Sequence, residues 1–214
     1  MIYLEEVFNL TPADPVTLDK FVNFAQKQLI PACERLKTRI VAAWYSNVEW
    51  YSQVTQILEF NDIDALKSFR INASQDQGWG EYTAMLEDFA PERRSRLLEP
   101  LGPISPSILD KAIEKSQKSP LGVYGMAVLE VNPNKMPEFM KSVEEYSNLL
   151  PIIACWHPIA GSPNEVIDIW GVKFPIEPYK PPEDVVKQFF PPLRLLAPRE
   201  CARDIIMLPY SQLK

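Results

Sequence analysis

Residues 44–60 (WYSNVEWYSQVTQILEF) register without a gap on residues 156–172 (WHPIAGSPNEVIDIWGV), so that Trp44 falls on Trp156, Val54 on Val166 and Ile57 on Ile169. An internal repeat constrains architecture before the chemistry of any one residue is weighed, because each copy must fold alike and bury the same face. At 214 residues the chain is long enough for two such copies, each with its own core.

The elements around the repeat recur in the same order. The first copy opens with a strand at 3–10, followed by Asp14-Pro15, a cap and first-turn pair for a helix. In that helix Leu18, Phe21, Val22, Ala25 and Leu29 form one apolar stripe, and Pro31 is expected to bend or interrupt it. Strands at 40–45 and 52–60 make a hairpin. Asp62 caps a further helix, broken at Gly78 and Gly80, and 93–100 reads as a closing strand. The second copy runs from a strand at 124–131 through a helix opened by Asn134 and carrying Met136, Phe139, Met140, Val143 and Leu150 on its inner face. A hairpin, a proline-rich crossing, a short helix at 183–190 and a last strand at 204–208 follow. A βαββαβ order is the ferredoxin-like split motif. Neither face of the 52–60 strand or of its copy alternates cleanly with polar residues, so both faces need cover. The expected fold is therefore α+β, two tandem ferredoxin-like (βαββαβ) units packing sheet to sheet as an α+β barrel. The domains would be 1–103 and 123–214, joined by a connecting helix and linker at 104–122.

Composition narrows the function classes. A net charge of -6 leaves no basic stripe for phosphates, which argues against nucleic acid as a partner. No apolar run reaches about 18 residues, which argues against membrane insertion. Cys33, Cys155 and Cys201 are odd in number and lack a CxxC pair, so neither a disulfide framework nor a zinc site is indicated. A reducing cytoplasm is the expected compartment. Seven glycines against twenty-one prolines predict stiff connections rather than flexible linkers. No phosphate loop, GxSxG, HExxH or GxGxxG occurs, which removes nucleotide cofactors and the commoner hydrolases.

The strand endings IVAAW and IIACW, the hairpin strands SQVTQIL and NEVIDIW, and the stretch GWGEYTAMLEDFAPERRSRLLEP resemble the NIPSNAP branch of the dimeric α+β barrel superfamily. The resemblance covers most of 1–101 and, more weakly, 123–210. It implies a structural scaffold more than a defined chemistry. The strand histidine of the family is absent, replaced by Gln56 and Asp168. Members of the superfamily often perform cofactor-independent chemistry on small molecules, and related barrels hold haem.

Three residues are the catalytic candidates. Asp168 lies between Ile167 and Ile169 in an apolar strand, where an ionised carboxylate must find a partner or have its pKa raised. It would be either a base or half of a structural ion pair. His157 is the only histidine, and Glu165 would lie across the hairpin from it if the turn centres near Gly161, giving a base and its orienting carboxylate. The competing reading of His157 is a partly exposed residue bonded to a carboxylate or carbonyl. Tyr3, Trp44, Gln56, Tyr124, Trp156 and Trp170 are the candidates for lining a pocket, with core packing as the competing account of the aromatics. Trp50 and Trp79 belong to the same aromatic set.

Two functions follow as expectations. The first is an enzyme acting without nucleotide or metal cofactor on a small apolar or aromatic metabolite, by oxygenation, isomerisation, cyclisation or dehydration, with haem on His157 as the cofactor alternative. The second is a non-catalytic NIPSNAP-type ligand-binding or scaffold protein. Either could act as a homodimer of the tandem unit.

Overall fold

A computed structural model describes residues 1–48, 51–172 and 180–214 of the chain. Trp50 and part of the expected proline-rich crossing lie outside these residues. The chain divides into two compact units, one formed by Met1–Leu97 with Ile206–Lys214 and the other by Leu98–Ile205. Both mix strands and helices, as the α+β expectation required.

In the first unit β1 (Ile2–Asn9) pairs antiparallel with β3 (Gln53–Phe60), and β3 with β2 (Arg39–Ser46). The register places Glu6 opposite Gln56 and Trp44 opposite Thr55. Beside β2 lies the end of β8 (Arg199–Met207), with Ile206 opposite Tyr45 and Met207 opposite Trp44. The residues after it stay on β2. Leu208 N–H donates to Ala43 O at 2.9 Å and Leu213 N–H to Val41 O at 3.0 Å. Helix α1 (Pro15–Phe24) starts where expected, the Asp14 carboxylate accepting from Thr17 N–H at 2.9 Å. Asp62 caps α3 (Ile63–Ala73) and Asp76 caps α4 (Gln77–Phe89) in the same way, satisfying N–H groups that a helix start leaves open.

Pro31 does not end its helix. A π turn at Ala25–Leu29 leads straight into α2 (Ile30–Arg35), which carries Pro31 in its first turn. The second unit repeats this device, with a π turn at Val185–Phe189 ahead of α7 (Phe190–Leu196) and its Pro191. A proline ring clashes with the carbonyl four residues back, and widening the preceding turn moves that carbonyl away. Pro191 and Pro192 therefore lie in a helix where a stiff connection was expected.

The helices of the first unit cover one side of its sheet. Phe8, Phe21, Leu29, Val54, Leu58, Phe69 and Tyr82 form a buried cluster there. Strand alternation puts Glu6 beside Leu4 and Phe8, and Gln56 beside Val54 and Leu58, on this helix side. Tyr3, Val7, Trp44 and Ile57 are buried on the opposite side.

In the second unit α5 (Pro106–Lys118) precedes β5 (Val123–Glu130), α6 (Met136–Tyr146), β6 (Ile152–Pro158) and β7 (Glu165–Trp170). β5 pairs with β7 and β7 with β6, Asp168 lying between Ala127 and Cys155. The strand beside β6 is the end of β4 (Glu92–Pro100), with Leu98 opposite Pro158 and Glu99 opposite His157. Leu129, Phe139, Val143, Cys155, Val166, Phe189 and Leu193 make the helix-side core. Each fully buried Leu or Phe of these clusters contributes about 1.5–3 kcal/mol.

The closing strands lie where expected and then continue. A βαββαβ order has residues 93–100 completing the first sheet and 204–208 the second, and β4 lies beside β1 and β8 beside β5. The ends of the same strands run on, Leu98–Pro100 against β6 and Ile206–Met207 against β2. The compact units consequently trade their strand ends relative to 1–103 and 123–214.

Candidate functional site

Strand β7 carries Val166, Asp168 and Trp170 on the helix side of the second sheet. Asp168 is buried at 5 % exposure, and its Oδ1 has no hydrogen-bond partner. Burial pushes its carboxyl up to about 7, against the pull of a hydrogen bond from the Trp170 side chain and of the Arg194 charge. That arginine is itself paired with Glu200. Asp168 thus keeps its proton to a far higher pH than an exposed carboxyl does.

A cavity of about 510 Å³ opens beside it. Met126, Ala127, Trp170, Pro181 and Phe190 give it a largely apolar wall, and Glu200, Arg203 and Asp204 supply the polar part. The π turn and α7 bring Phe190 over the sheet, β7 brings Trp170, and β8 brings Asp204. Asp204 reaches the cavity itself, whereas Asp168 stands behind Ala127 and Trp170. Burial raises the Asp204 carboxyl, and its Oδ1 also lacks a hydrogen-bond partner. Of these two carboxyls Asp204 alone lines the half-enclosed pocket, and its raised affinity for a proton suits it to taking a proton from, or returning it to, a bound C–H or O–H group.

Asp204 is missing from the sequence candidates, although the repeat contains its signal. β4 and β8 share one order of exposed, half-buried and buried positions, and this order sets Asp204 on Leu97, which packs against the first core. A carboxylate where the other copy packs leucine is a departure that comparing the two closing strands would expose. The ungapped match that marks the repeat covers only the tryptophan hairpin and does not reach them.

The other candidates do not converge. His157 Nε2 lies 2.7 Å from Glu99 Oε1, so the carboxylate beside the histidine comes from β4 and not from Glu165. Glu165 is registered opposite Glu130 at the far end of β5. His157 is thus a half-buried strand-end residue bonded to a carboxylate, which is the competing reading given for it above. Tyr3, Trp44, Tyr124 and Trp156 are buried to within 2 % exposure. Alternation sets them on the side of each sheet away from the helices, so they do not line the cavity beside Trp170. Gln56 sits on the helix side of the first unit, bonded to Glu6, and only Trp170 of the six lines this cavity.

Haem does not fit here. His157 is not in the cavity wall, and one of its ring nitrogens is engaged by Glu99. Among the described residues no group of His, Cys, Asp and Glu is placed to hold a metal ion. Among the same residues no helix is long and apolar enough to cross a membrane.

Solved structures share this fold over nearly the whole chain. A protein provisionally named a monooxygenase from Lactobacillus acidophilus NCFM is 10% identical, with 98% of this chain and 95% of that one covered and a TM-score of 0.63. A second protein of that provisional name, from Fusobacterium nucleatum, is 12% identical over 97% and 92%, with a TM-score of 0.53. A mutant chlorite dismutase from Candidatus Nitrospira defluvii, in complex with cyanide, is 8% identical over 99% and 92%, with a TM-score of 0.51. At such identities the likeness concerns the fold alone. No curated protein sequence matches the chain. The family model that matches is NIPSNAP, over residues 12–106, so the first part of the sequence is similar to that family.

Proposed function

We propose that the second unit takes a small, largely apolar molecule into the cavity beside Trp170 and moves a proton on it without a nucleotide or metal cofactor. The carrying observation is Asp204, a carboxyl of raised pKa at the wall of a largely apolar cavity, with a buried oxygen that no protein group satisfies. An oxygen of that kind gains most from a ligand that brings a donor or an acidic hydrogen. Asp168 acts as a positioning residue: its carboxylate accepts from Trp170 and so fixes the indole that forms the wall. Isomerisation and dehydration are the reactions that one carboxyl suffices for, Asp204 taking a proton from one position of the ligand and returning it to another or to the departing hydroxyl. The two units are, on this reading, tandem copies of one ferredoxin-like unit, of which the second has acquired Asp168 and Asp204 where the first keeps Gln56 and Leu97. The names of the two provisional monooxygenases support small-molecule chemistry on this fold.

Native mass spectrometry of freshly purified protein tests this. A retained small molecule is expected, lost in Trp170→Ala. Asp204→Asn should retain a species differing in structure from that held by the wild type, substrate in one and product in the other. If both proteins hold the same compound, the cavity binds without turnover and the ligand-binding role stands. If neither holds any compound at neutral or at mildly acidic pH, the cavity is not a ligand site.

A further inference from the structure

The first unit has a cavity of its own. It measures about 470 Å³ and lies on the helix side of the sheet, walled by Leu4, Glu6, Phe69, Arg70, Trp79 and Thr83 among others. We infer that it is a second binding site, for small aromatic amines, with Glu6 as the anchor for the ammonium group and Trp79 as the surface for the ring.

Glu6 is half-buried, and its Oε2 accepts from Gln56 Nε2 at 2.7 Å. The glutamine is itself held. It is fully buried, its Nε2 lies 3.3 Å from Tyr82 Oη, and its Oε1 accepts from the Tyr210 hydroxyl at 3.5 Å. With its amide locked by three neighbours, Gln56 fixes the carboxylate of Glu6 at the cavity wall, so a ligand meets an anchor whose ordering is already complete. Burial raises the Glu6 carboxyl by more than the Gln56 hydrogen bond and the charge of Arg93 lower it. An ammonium brought against it favours the charged carboxylate.

The aromatic part is equally built. Trp79 meets Phe69 edge-on at 5.0 Å between ring centres and Tyr82 at 5.4 Å, which leaves the half-buried indole fixed in orientation. A ring stacked on Trp79 with its ammonium turned to Glu6 gains both apolar contact and the attraction of a cation to π-faces. Nothing in this arrangement depends on Asp168 or Asp204, so the two sites stand or fall separately.

Isothermal titration of the full chain with 2-phenylethylamine and with 3-phenylpropionate, which have similar rings and opposite charges, tests the inference. The amine is expected to bind at least about tenfold more tightly than the acid, and Glu6→Gln should abolish that preference. Trp79→Leu should weaken the amine by a similar factor, while Asp204→Leu leaves it unchanged. Circular dichroism melts establish that each variant is folded. Equal binding of amine and acid by the wild type would overturn the inference, as would no binding of either at about 10 mM. A preference kept in Glu6→Gln but lost in Asp204→Leu would also overturn it, because the amine would then sit in the second unit.

Discussion

The Trp170 side chain donates to the carboxylate of Asp168 two residues earlier on the same strand, and Asp168 Oδ1 stays buried with no partner. One hydrogen bond therefore offsets only part of what burial takes from the charged form. The folded carboxyl titrates at about 7 against an ordinary 3.8.

That difference sets a pH dependence of stability. Between pH of about 4 and 7 the folded chain holds a proton on Asp168 that the unfolded chain has released. Stability consequently falls as pH rises through this window, by something on the order of 4 kcal/mol at most, and the penalty is complete above the folded value. Asp168→Asn should raise the melting temperature at pH of about 8 and leave it nearly unchanged at about 4. Equal melting temperatures at the higher pH would mean that a group outside the chain neutralises the carboxylate.

Asp204→Leu restores the residue that occupies the matching place in the first unit. Leucine there is expected to fill part of the cavity beside Phe190 and Trp170, raising the melting temperature while eliminating retention of any ligand. A crystal structure of the variant would show the reduced volume. Retention at wild-type strength would remove Asp204 from the site.

Arg35 grips both oxygens of Asp76, at 2.9 and 2.7 Å, and Asp76 Oδ1 also accepts from Trp79 N–H at 2.7 Å. The guanidinium and this cap hold the Asp76 carboxyl down to about 2. Asp76→Ala removes the start of α4 and should lower the melting temperature at neutral pH. The stability at stake is present above the ordinary value of 3.8 and is lost as pH falls through about 2, so the deficit should shrink across that window. Hydrogen exchange at the first turn of α4 reads the loss directly.

Trp44 and Trp156, conspicuous in the repeat, are core residues at 2 % exposure. Trp156→Ala is expected to cost about 3–5 kcal/mol in urea unfolding. The exposed partner of His157 should matter far less, Glu99→Gln changing stability by no more than about 1 kcal/mol. A small effect of Trp156→Ala would return that tryptophan to the list of pocket residues.

Much of the fold was legible because its causes are local. Asp14, Asp62 and the alternating strands act through neighbours in sequence, and the hairpin repeat carried both sheets. The continuation of the helix through Pro31 was not legible, since proline chemistry alone predicts interruption and the relieving π turn depends on packing of Ala25 and Leu29 into the core. Nor was the continuation of the ends of β4 and β8 onto β6 and β2, because pairing across a hundred residues leaves no periodic mark. The candidate site suffered from the same blindness. Asp168 and Trp170 were found as a polar and an aromatic residue in an apolar strand, while Asp204 lies on a closing strand that the ungapped match of the repeat does not reach.

The travelling strand ends have a practical corollary. Ile206 and Met207 lie against β2, Ser211 Oγ accepts from Ala43 N–H at 3.0 Å, and the Tyr210 hydroxyl reaches Gln56. The last stretch of the chain is thus a wall of the unit built by the first stretch, and a ribosome that has finished residues 1–103 has not yet made a complete first unit. A stop codon at position 206 would spare every residue of the second unit and injure the first.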